Sequence, residues 1–321
     1  MIKSRNLAPF IHTEMTAPYI FMTHIAALIP CVIAGIVYYG ISAITLITGC
    51  ATAFMLLDNA FGRMVRRDGI DRNYTDFSSI EAGVIYALML PPGTSLAVAL
   101  TGVLFGSFVV KQFFGGSGNN ILNPACTARL FVEMVFPSQM AGFKTPVTSW
   151  FEVASLIGRT EGTTARDDVG TLNIVELLTG NYAGYIGMTC AFLIVVAGIY
   201  QAFKGTVRIY APIAYLVVLM MTYPVTGEPG TLIVYMLSSG VLFTAVFLLG
   251  DFTTMPSRIW GGVIAGAICA VLTIILRGRV SDMCALLAPV TAVNFMSFEI
   301  DFFTKAIARR NITRQREVHL K

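Results

Sequence analysis

Runs of about 20 apolar residues recur along this 321-residue chain, and they restrict its fold more than any other feature. A helix rises 1.5 Å per residue, so about 20 apolar residues are needed to cross roughly 30 Å of hydrocarbon. Charged residues make up only 12% of the chain, about half their usual share in a soluble domain. The sequence therefore predicts an all-α integral membrane protein.

Ten segments have the length and hydropathy expected of transmembrane helices. The predicted spans are 18–40, 41–61, 79–91, 95–114 and 121–136, then 184–203, 208–226, 230–250, 258–276 and 283–304. Five spans in each half predict two inverted repeats, because an odd number reverses the orientation of the second copy. The predicted domains are residues 1–136 for the first five-helix repeat, 137–183 for an extracytoplasmic loop, and 184–321 for the second repeat with a basic tail. The alternative is that the two halves are not a duplication, because any two membrane helices rich in small residues resemble each other.

The basic residues predict the orientation in the membrane. With the N-terminus inside, most of the 22 Lys and Arg residues, Lys111 included, fall on the inner side, as positively charged cytoplasmic loops require. Both termini are therefore predicted to be cytoplasmic. Asp58, Glu299 and Asp301 lie near inner helix ends, where they are expected to meet only water or arginines. The net charge of +4 reflects this topology and gives no argument for nucleic-acid binding.

Two predicted spans are interrupted by polar or proline-containing turns. Pro91 and Pro92 end the short span 79–91, and residues 250–256 break its counterpart in the second half. Such breaks are tolerated at membrane depth only where protein or a water-filled cavity satisfies the backbone. Inverted repeats with broken helices place a binding site near the midplane.

Few side chains have the spacing of a catalytic or metal site. The six cysteines and three histidines are scattered, so neither a catalytic residue nor a metal ligand is predicted. Arg129 and Glu133 are spaced i, i+4 inside a span; they are costly in lipid and are expected to face the protein interior.

A turn rich in Gly and Asn, residues 115–125, joins two spans on the inner side. Its glycines permit close backbone approach, its Asn side chains offer donors and acceptors, and Pro124 suits a first helical turn. It lacks GxGxxG spacing and a Walker lysine. The residues alone leave open a tight inter-helix turn or a ligand cradle.

The same turn carries a family resemblance. Residues 114–132, FGGSGNNILNPACTARLFV, resemble the GG…G.N.FNPA..AR.F signature of the D subunit of Rnf-type ion-translocating ferredoxin:NAD oxidoreductases, which is related to the B subunit of the sodium-pumping NADH:quinone oxidoreductase. Residues 8–12, 180–188 and 238–256 are similar to further family stretches in the same order, with Met188 where the family usually has Glu. The resemblance extends over nearly the whole chain.

The resemblance implies a ten-span protein that carries FMN in phosphoester linkage to a threonine of the outer loop. The family attachment pattern D-x-x-[S/T]-G-A-T is matched only in part by residues 158–164, GRTEGTT, where the acid, the hydroxyl residue and the alanine are replaced. Thr164 is the predicted attachment residue, and Thr171 is the second candidate. The alternative is a plain polar loop.

A second, non-covalent flavin, riboflavin or another, is also implied on the inner side. Asp251, Thr253 and Thr254 are the candidate residues for it. Asn123 is a further candidate for cofactor binding, and Arg129 is a candidate for a flavin phosphate or ribityl group. The alternatives are that Arg129 only pairs with Glu133, and that the Asp251 turn only caps a helix.

The predicted function is a flavin-carrying membrane subunit of an ion-translocating electron-transport complex, a translocase of the prokaryotic plasma membrane coupled to Na⁺ or H⁺ movement. Its predicted partners are the lipid bilayer and the other membrane and peripheral subunits of the complex, including iron–sulfur and flavin subunits, because these cysteines lack cluster spacing. The alternatives are a small-solute channel or transporter of inverted-repeat architecture and a flavin-free structural membrane subunit.

Overall fold

The computed structural model describes residues 15–65, 77–114, 120–143, 146, 173–226 and 232–319, and these are mostly helical. The helices are α1 (Ala17–Val65), α2 (Phe77–Leu88), α3 (Leu96–Gln112), α4 (Pro124–Val135), α5 (Pro137–Met140), α6 (Ile174–Thr179), α7 (Ala191–Lys204), α8 (Tyr210–Thr222), α9 (Leu232–Ser238), α10 (Val241–Phe243), α11 (Ile259–Leu276), α12 (Asp282–Phe295) and α13 (Ser297–His319). The described ranges contain no β-strand beyond one isolated bridge. This confirms the predicted all-α class.

Helix length by itself identifies only some of the predicted spans. Residues Ala17–Phe61 of α1 and the whole of α11 are long and apolar enough to cross a membrane. Helices α12 and α13 pass the same test as a pair bent by 52°. The remaining predicted spans contain shorter helices, because turns or π-helical segments interrupt them. The π-helices are Phe105–Gln112 at the end of α3 and Thr244–Leu248 directly after α10.

Two predicted spans, 18–40 and 41–61, form one continuous run of helical residues. Gly40 interrupts this run with φ 58° and ψ −133°, a conformation that a residue with a Cβ rarely adopts. The predicted boundary between the spans is therefore a kink at a single glycine.

The exposed face of helix α7 indicates what surrounds it. Its buried side is formed by small or polar residues such as Ala191, Ala197 and Gln201. Its exposed side is mostly large and apolar, with Ala202 and Lys204 as the exceptions in its last turn, and Phe203 is 88% exposed. Soluble proteins rarely expose a continuous apolar face of this kind, so it indicates contact with lipid. The exposed residues are Phe192, Val195, Val196, Ile199, Tyr200 and Phe203.

The two halves of the chain share one hydrophobic core. Tyr86 and Val132 from the first half belong to the same buried cluster as Tyr215 and Phe243 from the second. Helices α4 and α12 pack against each other, and the Sγ of Cys126 lies 3.6 Å from the carbonyl oxygen of Leu287. Residues from both halves are therefore packed into one core, which fixes the position of any site that lies between the halves.

Candidate functional site

Helix α2 ends at Leu88, just before Pro91, as the proline pair predicts. The break frees carbonyl groups that must find partners in a membrane. The N–H of Gly187 donates to Leu88 O at 2.9 Å, and the N–H of Ile186 donates to Leu90 O at 3.1 Å. A Cβ at Gly187 would lie 2.5 Å from the Leu88 side chain, so glycine permits this approach. The second half thus caps the broken helix of the first.

Arg129 completes this cap from α4. Its side chain is fully buried; Nε donates to the carbonyl oxygen of Met89 at 2.9 Å, and Nη1 donates to Glu133 Oε2 at 2.6 Å. The predicted pairing with Glu133 and the inward orientation are confirmed. The ring of Tyr185 lies 5.8 Å from the guanidinium carbon. Nη2 has no hydrogen-bond partner among the described residues, so one guanidinium nitrogen is uncommitted.

A buried pair of ionisable residues joins α1 to α2, and the sequence analysis did not identify it. His24 Nδ1 lies 2.7 Å from Glu81 Oε1, and its Nε2 lies 3.0 Å from Thr206 O. Because a carbonyl oxygen only accepts, Nε2 carries a hydrogen, and one further proton is shared between Nδ1 and Glu81. An acid at Glu81 inside an apolar span was the available signal, since intramembrane acids are rare and functional.

The structure brings together two predicted flavin residues from opposite halves of the chain. Asn123 is the N-cap of α4, and its Oδ1 accepts from the backbone N–H groups of Ala125 and Cys126, each at 3.1 Å. Its Nδ2 donates to Asp251 Oδ2 at 3.1 Å. Pro124 occupies the first helical turn, as predicted. One amide therefore both starts α4 and ties it to the turn after α10.

Asp251 organises that turn. Its Oδ1 accepts from the N–H and the Oγ1 of Thr253, both at 2.9 Å, and its Oδ2 accepts from Thr254 Oγ1 at 2.9 Å. With the bond from Asn123, both carboxylate oxygens have at least two donors. The three predicted residues therefore bond to one another within the turn, and α11, the next helix along the chain, begins only at Ile259 with Arg258 as its N-cap.

A small cavity lies between the halves beside these two pairs. Phe21 and Phe247 form part of its apolar wall. Its volume is about 30 Å³, which holds one or two waters. The polar residues that line it are Ser78, Glu81, Asn120, Asn123, Asp251 and Thr253. The Oδ1 of Asn120 is buried and has no partner among the described residues, so the cavity presents an unused acceptor.

Asp58 and Lys111 have environments that the sequence analysis did not predict. Both are buried, and Lys111 Nζ lies 2.7 Å from Asp58 Oδ2. The prediction that Asp58 meets only water or arginine is wrong, because the end of α3 directs a lysine inward against it. Asp301 likewise bonds to Ser257, whose N–H donates to Oδ1 at 3.1 Å.

The two predicted attachment residues, Thr164 and Thr171, lie outside the described residues. Their assignment therefore stays a prediction. The described residues nearest to them in sequence are Pro146 before and Asn173 after, and Asn173 begins the short helix α6 with a capping box.

Comparison with known proteins gives relatives over most of the chain. A protein of Acetobacterium woodii, named as the D subunit of the Na(+)-translocating ferredoxin:NAD(+) oxidoreductase complex, is 27% identical over 271 residues, which cover 84% of this chain and 83% of that protein. A Clostridium ljungdahlii protein, named as the D subunit of the proton-translocating ferredoxin:NAD(+) oxidoreductase complex, is 24% identical and covers 94% of both chains. A Methanosarcina acetivorans protein, named as the D subunit of the ion-translocating oxidoreductase complex, is 22% identical over 83% of both.

A family model describes nearly the same extent. It covers residues 4–307, and so includes the broken helix α2, the Asn123 cap and the Asp251 turn. On this match the chain belongs to the NQR2, RnfD, RnfE family.

Proposed function

We propose that this chain is the flavin-carrying membrane subunit of an ion-translocating electron-transport complex of the ferredoxin:NAD type. The observation that carries the proposal is the family match over residues 4–307, with relatives named as the D subunit of such complexes. In this assignment FMN is linked through its phosphate to Thr164, with Thr171 as the second candidate. Bound flavin supplies one- and two-electron redox chemistry, and the protein sets its position and potential.

Two inverted five-helix repeats are the architecture we propose in the membrane, with both termini cytoplasmic and residues 137–183 outside. The interrupted helices support it, because each half has a helix that stops at a polar or proline-containing turn. α2 stops at Leu88, and the π-helix after α10 stops at Leu248. The divisions at residues 136 and 183 follow from this arrangement.

The cavity beside Asn123 and Asp251 is our proposed inner site for a second, non-covalent flavin. Thr253 lines this cavity, and Thr254 belongs to the same turn through its bond to Asp251. Amide and hydroxyl groups match the polar edge of a flavin ring, which both donates and accepts, and Asn120 offers a free acceptor. A volume of about 30 Å³ is smaller than a ring system needs, so occupancy requires side chains to move. At the other break, the uncommitted Nη2 of Arg129 is available to a flavin phosphate or ribityl oxygen.

Partner subunits complete the proposed electron path. Within the described residues no group of His, Cys, Asp and Glu could hold a metal ion, and all six cysteines are free thiols, five of them buried. Iron–sulfur centres, which need clustered thiolates, are therefore assigned to partners, alongside other flavin subunits. The relatives are named for Na⁺ and for proton translocation, so either is a candidate coupling ion.

In-gel fluorescence tests the covalent flavin directly. The chain is expressed with its flavin transferase, and denaturing gels are viewed under ultraviolet light for the wild type and for Thr164→Ala, Thr164→Ser and Thr171→Ala. We expect fluorescence in the wild type, its loss in Thr164→Ala, and its retention in Thr171→Ala. Thr164→Ser keeps a hydroxyl and serves as the matched control for the change in side chain.

Two other outcomes decide against parts of the proposal. Fluorescence retained in Thr164→Ala and lost in Thr171→Ala moves the attachment to Thr171. A dark wild-type band, with no flavin mass on the intact protein, removes the covalent electron carrier. That result favours a small-solute transporter, for which inverted repeats with broken helices are a known architecture, or a flavin-free structural subunit.

A further inference from the structure

Asp58, Ser78, Ser79, Ser107 and Lys111 form a buried polar group, here called the Asp58 cluster. Lys111 Nζ lies 2.7 Å from Asp58 Oδ2 and 2.8 Å from the Oγ atoms of Ser78 and Ser79. Ser79 donates to Asp58 Oδ2 at 2.5 Å, and Ser107 donates to the other carboxylate oxygen. Ser79, Ser107 and Lys111 are completely buried.

Three helices build this cluster, and one of them departs from α-helical geometry there. Asp58 comes from α1, Ser78 and Ser79 from the start of α2, and Ser107 and Lys111 from the π-helix that ends α3. In that segment the N–H of Phe113 donates to the carbonyl oxygen of Phe108 at 3.0 Å, five residues earlier. π-Helical turns inside helices are concentrated at functional sites.

An ion pair in this position is not the most stable way to pack three membrane helices. Removing two charges from water costs several kcal/mol per ion, and an apolar pair of similar size commonly packs as well or better. Ionisable residues inside membrane segments therefore mark ion or proton chemistry by default. Arg129 and His24 each have a carboxylate partner of their own, so neither the Arg129 cap nor the His24 pair explains the charge of the Asp58 cluster.

The atoms around Lys111 Nζ have the chemistry of a cation site. One carboxylate and two hydroxyl oxygens converge on a compact, point-like positive charge, and oxygen ligands of this kind are preferred by hard cations. We propose that Asp58, Ser78 and Ser79 form a binding site for a monovalent cation. The Lys111 ammonium is the tethered occupant of this site, and a cation from solution takes the same place when the ammonium leaves.

The position of Ser78 connects this site to the rest of the protein. Its hydroxyl contacts Lys111 and also lines the cavity that holds Glu81 and Asp251. A charge that enters or leaves the Asp58 cluster is therefore next to the cavity proposed for the inner flavin. The inference goes beyond the proposed function, because it requires a cation to bind whether or not a flavin is attached.

Replacement of the tethered cation is the first test. Purified Lys111→Met is compared with Asp58→Asn/Lys111→Met, which also removes the carboxylate charge, and with Lys204→Met, which makes the same change at an exposed lysine. Thermal unfolding is followed in choline chloride and in NaCl or KCl of equal concentration. We expect Tm of Lys111→Met to rise by about 2–4 °C when an alkali cation replaces choline, as for a ligand near ten times its Kd. The two control variants and the wild type are expected to shift by less than about 1 °C. Equal shifts in Lys111→Met and the double variant overturn the proposal.

A second measurement covers the case in which Lys111→Met does not fold. Binding of radioactive Na⁺ to Lys111→Gln, whose amide still offers a hydrogen-bond donor, is measured by scintillation proximity, with Asp58→Asn/Lys111→Gln as control. We expect Lys111→Gln to bind Na⁺ that is displaced by unlabelled Na⁺ but not by choline, since the tethered ammonium is gone and the Asp58 carboxylate remains. No displaceable Na⁺ in Lys111→Gln, or equal binding by the double variant, contradicts the proposal. In-gel flavin fluorescence of the same samples shows separately whether the proposed function holds.

Discussion

The Nε of Arg129 lies 2.9 Å from the carbonyl oxygen of Met89, so a side chain of α4 closes the hydrogen bonding of the broken helix α2. The same guanidinium holds Glu133 at 2.6 Å. With the backbone N–H groups of Ile186 and Gly187, it lets a helix stop inside the membrane region without orphaned carbonyls. Three separate parts of the chain meet at this one break.

Arg129→Met is expected to destabilise the protein strongly. It removes the donor to Met89 and leaves the Glu133 carboxylate without its partner, a change that costs about 3–5 kcal/mol for a buried pair. Thermal unfolding in detergent measures the loss. Arg129→Met/Glu133→Gln is expected to recover part of it, because the uncompensated charge is gone. A Tm for Arg129→Met equal to that of the wild type contradicts the capping role.

Gly187→Ala is expected to destabilise the same break by a different mechanism. The added Cβ would lie 2.5–2.9 Å from atoms of the Leu88 side chain, and overpacking of this kind costs about 1–3 kcal/mol. Gly142→Ala is the matched control, since its Cβ would meet other atoms only at 3.3 Å or more. Thermal unfolding of the two variants compares them directly, and equal losses argue that backbone flexibility, rather than close approach, governs both positions.

The His24–Glu81 pair is expected to show strong energetic coupling. His24→Leu leaves a buried carboxylate unpartnered, and Glu81→Leu leaves an imidazole with only the Thr206 carbonyl. The two losses of unfolding free energy in the single variants should therefore add up to more than the loss in the double variant. The difference, the coupling free energy, is expected to be about 0.5–3 kcal/mol. A double-mutant cycle on denaturant unfolding measures it. Simple additivity would mean that the contact has no energetic weight.

Substitutions at Asn123 separate its cap from its bond to Asp251. Asn123→Ser keeps a good N-cap and loses only the donor to Asp251. Asn123→Asp keeps a cap oxygen but places a second carboxylate about 3 Å from Asp251, where like charges repel. If the inner cavity holds a flavin, Asn123→Asp should lose more non-covalent flavin than Asn123→Ser.

Flavin extracted from native protein, per mole of chain, measures this loss. Covalent fluorescence on denaturing gels should be equal in the two variants, because the proposed attachment lies in a different segment. Equal non-covalent flavin in both variants places the second flavin elsewhere.

Local pattern was sufficient for several parts of this molecule. Pro91 and Pro92 predict the end of α2, Pro124 predicts the first turn of α4, and the i, i+4 spacing predicts the Arg129–Glu133 pair. Each depends on residues within one or two helical turns, so a single sequence carries the information. The polar turn at Asp251 was predictable for the same reason.

Long-range pairing was not accessible in this way. Asp58 and Lys111 are 53 residues apart, His24 and Glu81 are 57 apart, and Asn123 and Asp251 are 128 apart. In a soluble helix the apolar stripe marks the buried face, but here lipid-facing and protein-facing sides are both apolar. Periodicity therefore could not show which face Lys111 occupies.

Composition and the lengths of the apolar runs were enough to establish a helical membrane protein, because hydrocarbon accepts only segments that satisfy their own backbone. Which charges neutralise each other inside it depended on how the helices pack. A buried ion is tolerated only beside its partner, and that partner is brought close by the tertiary fold, across a separation in sequence that no local pattern spans.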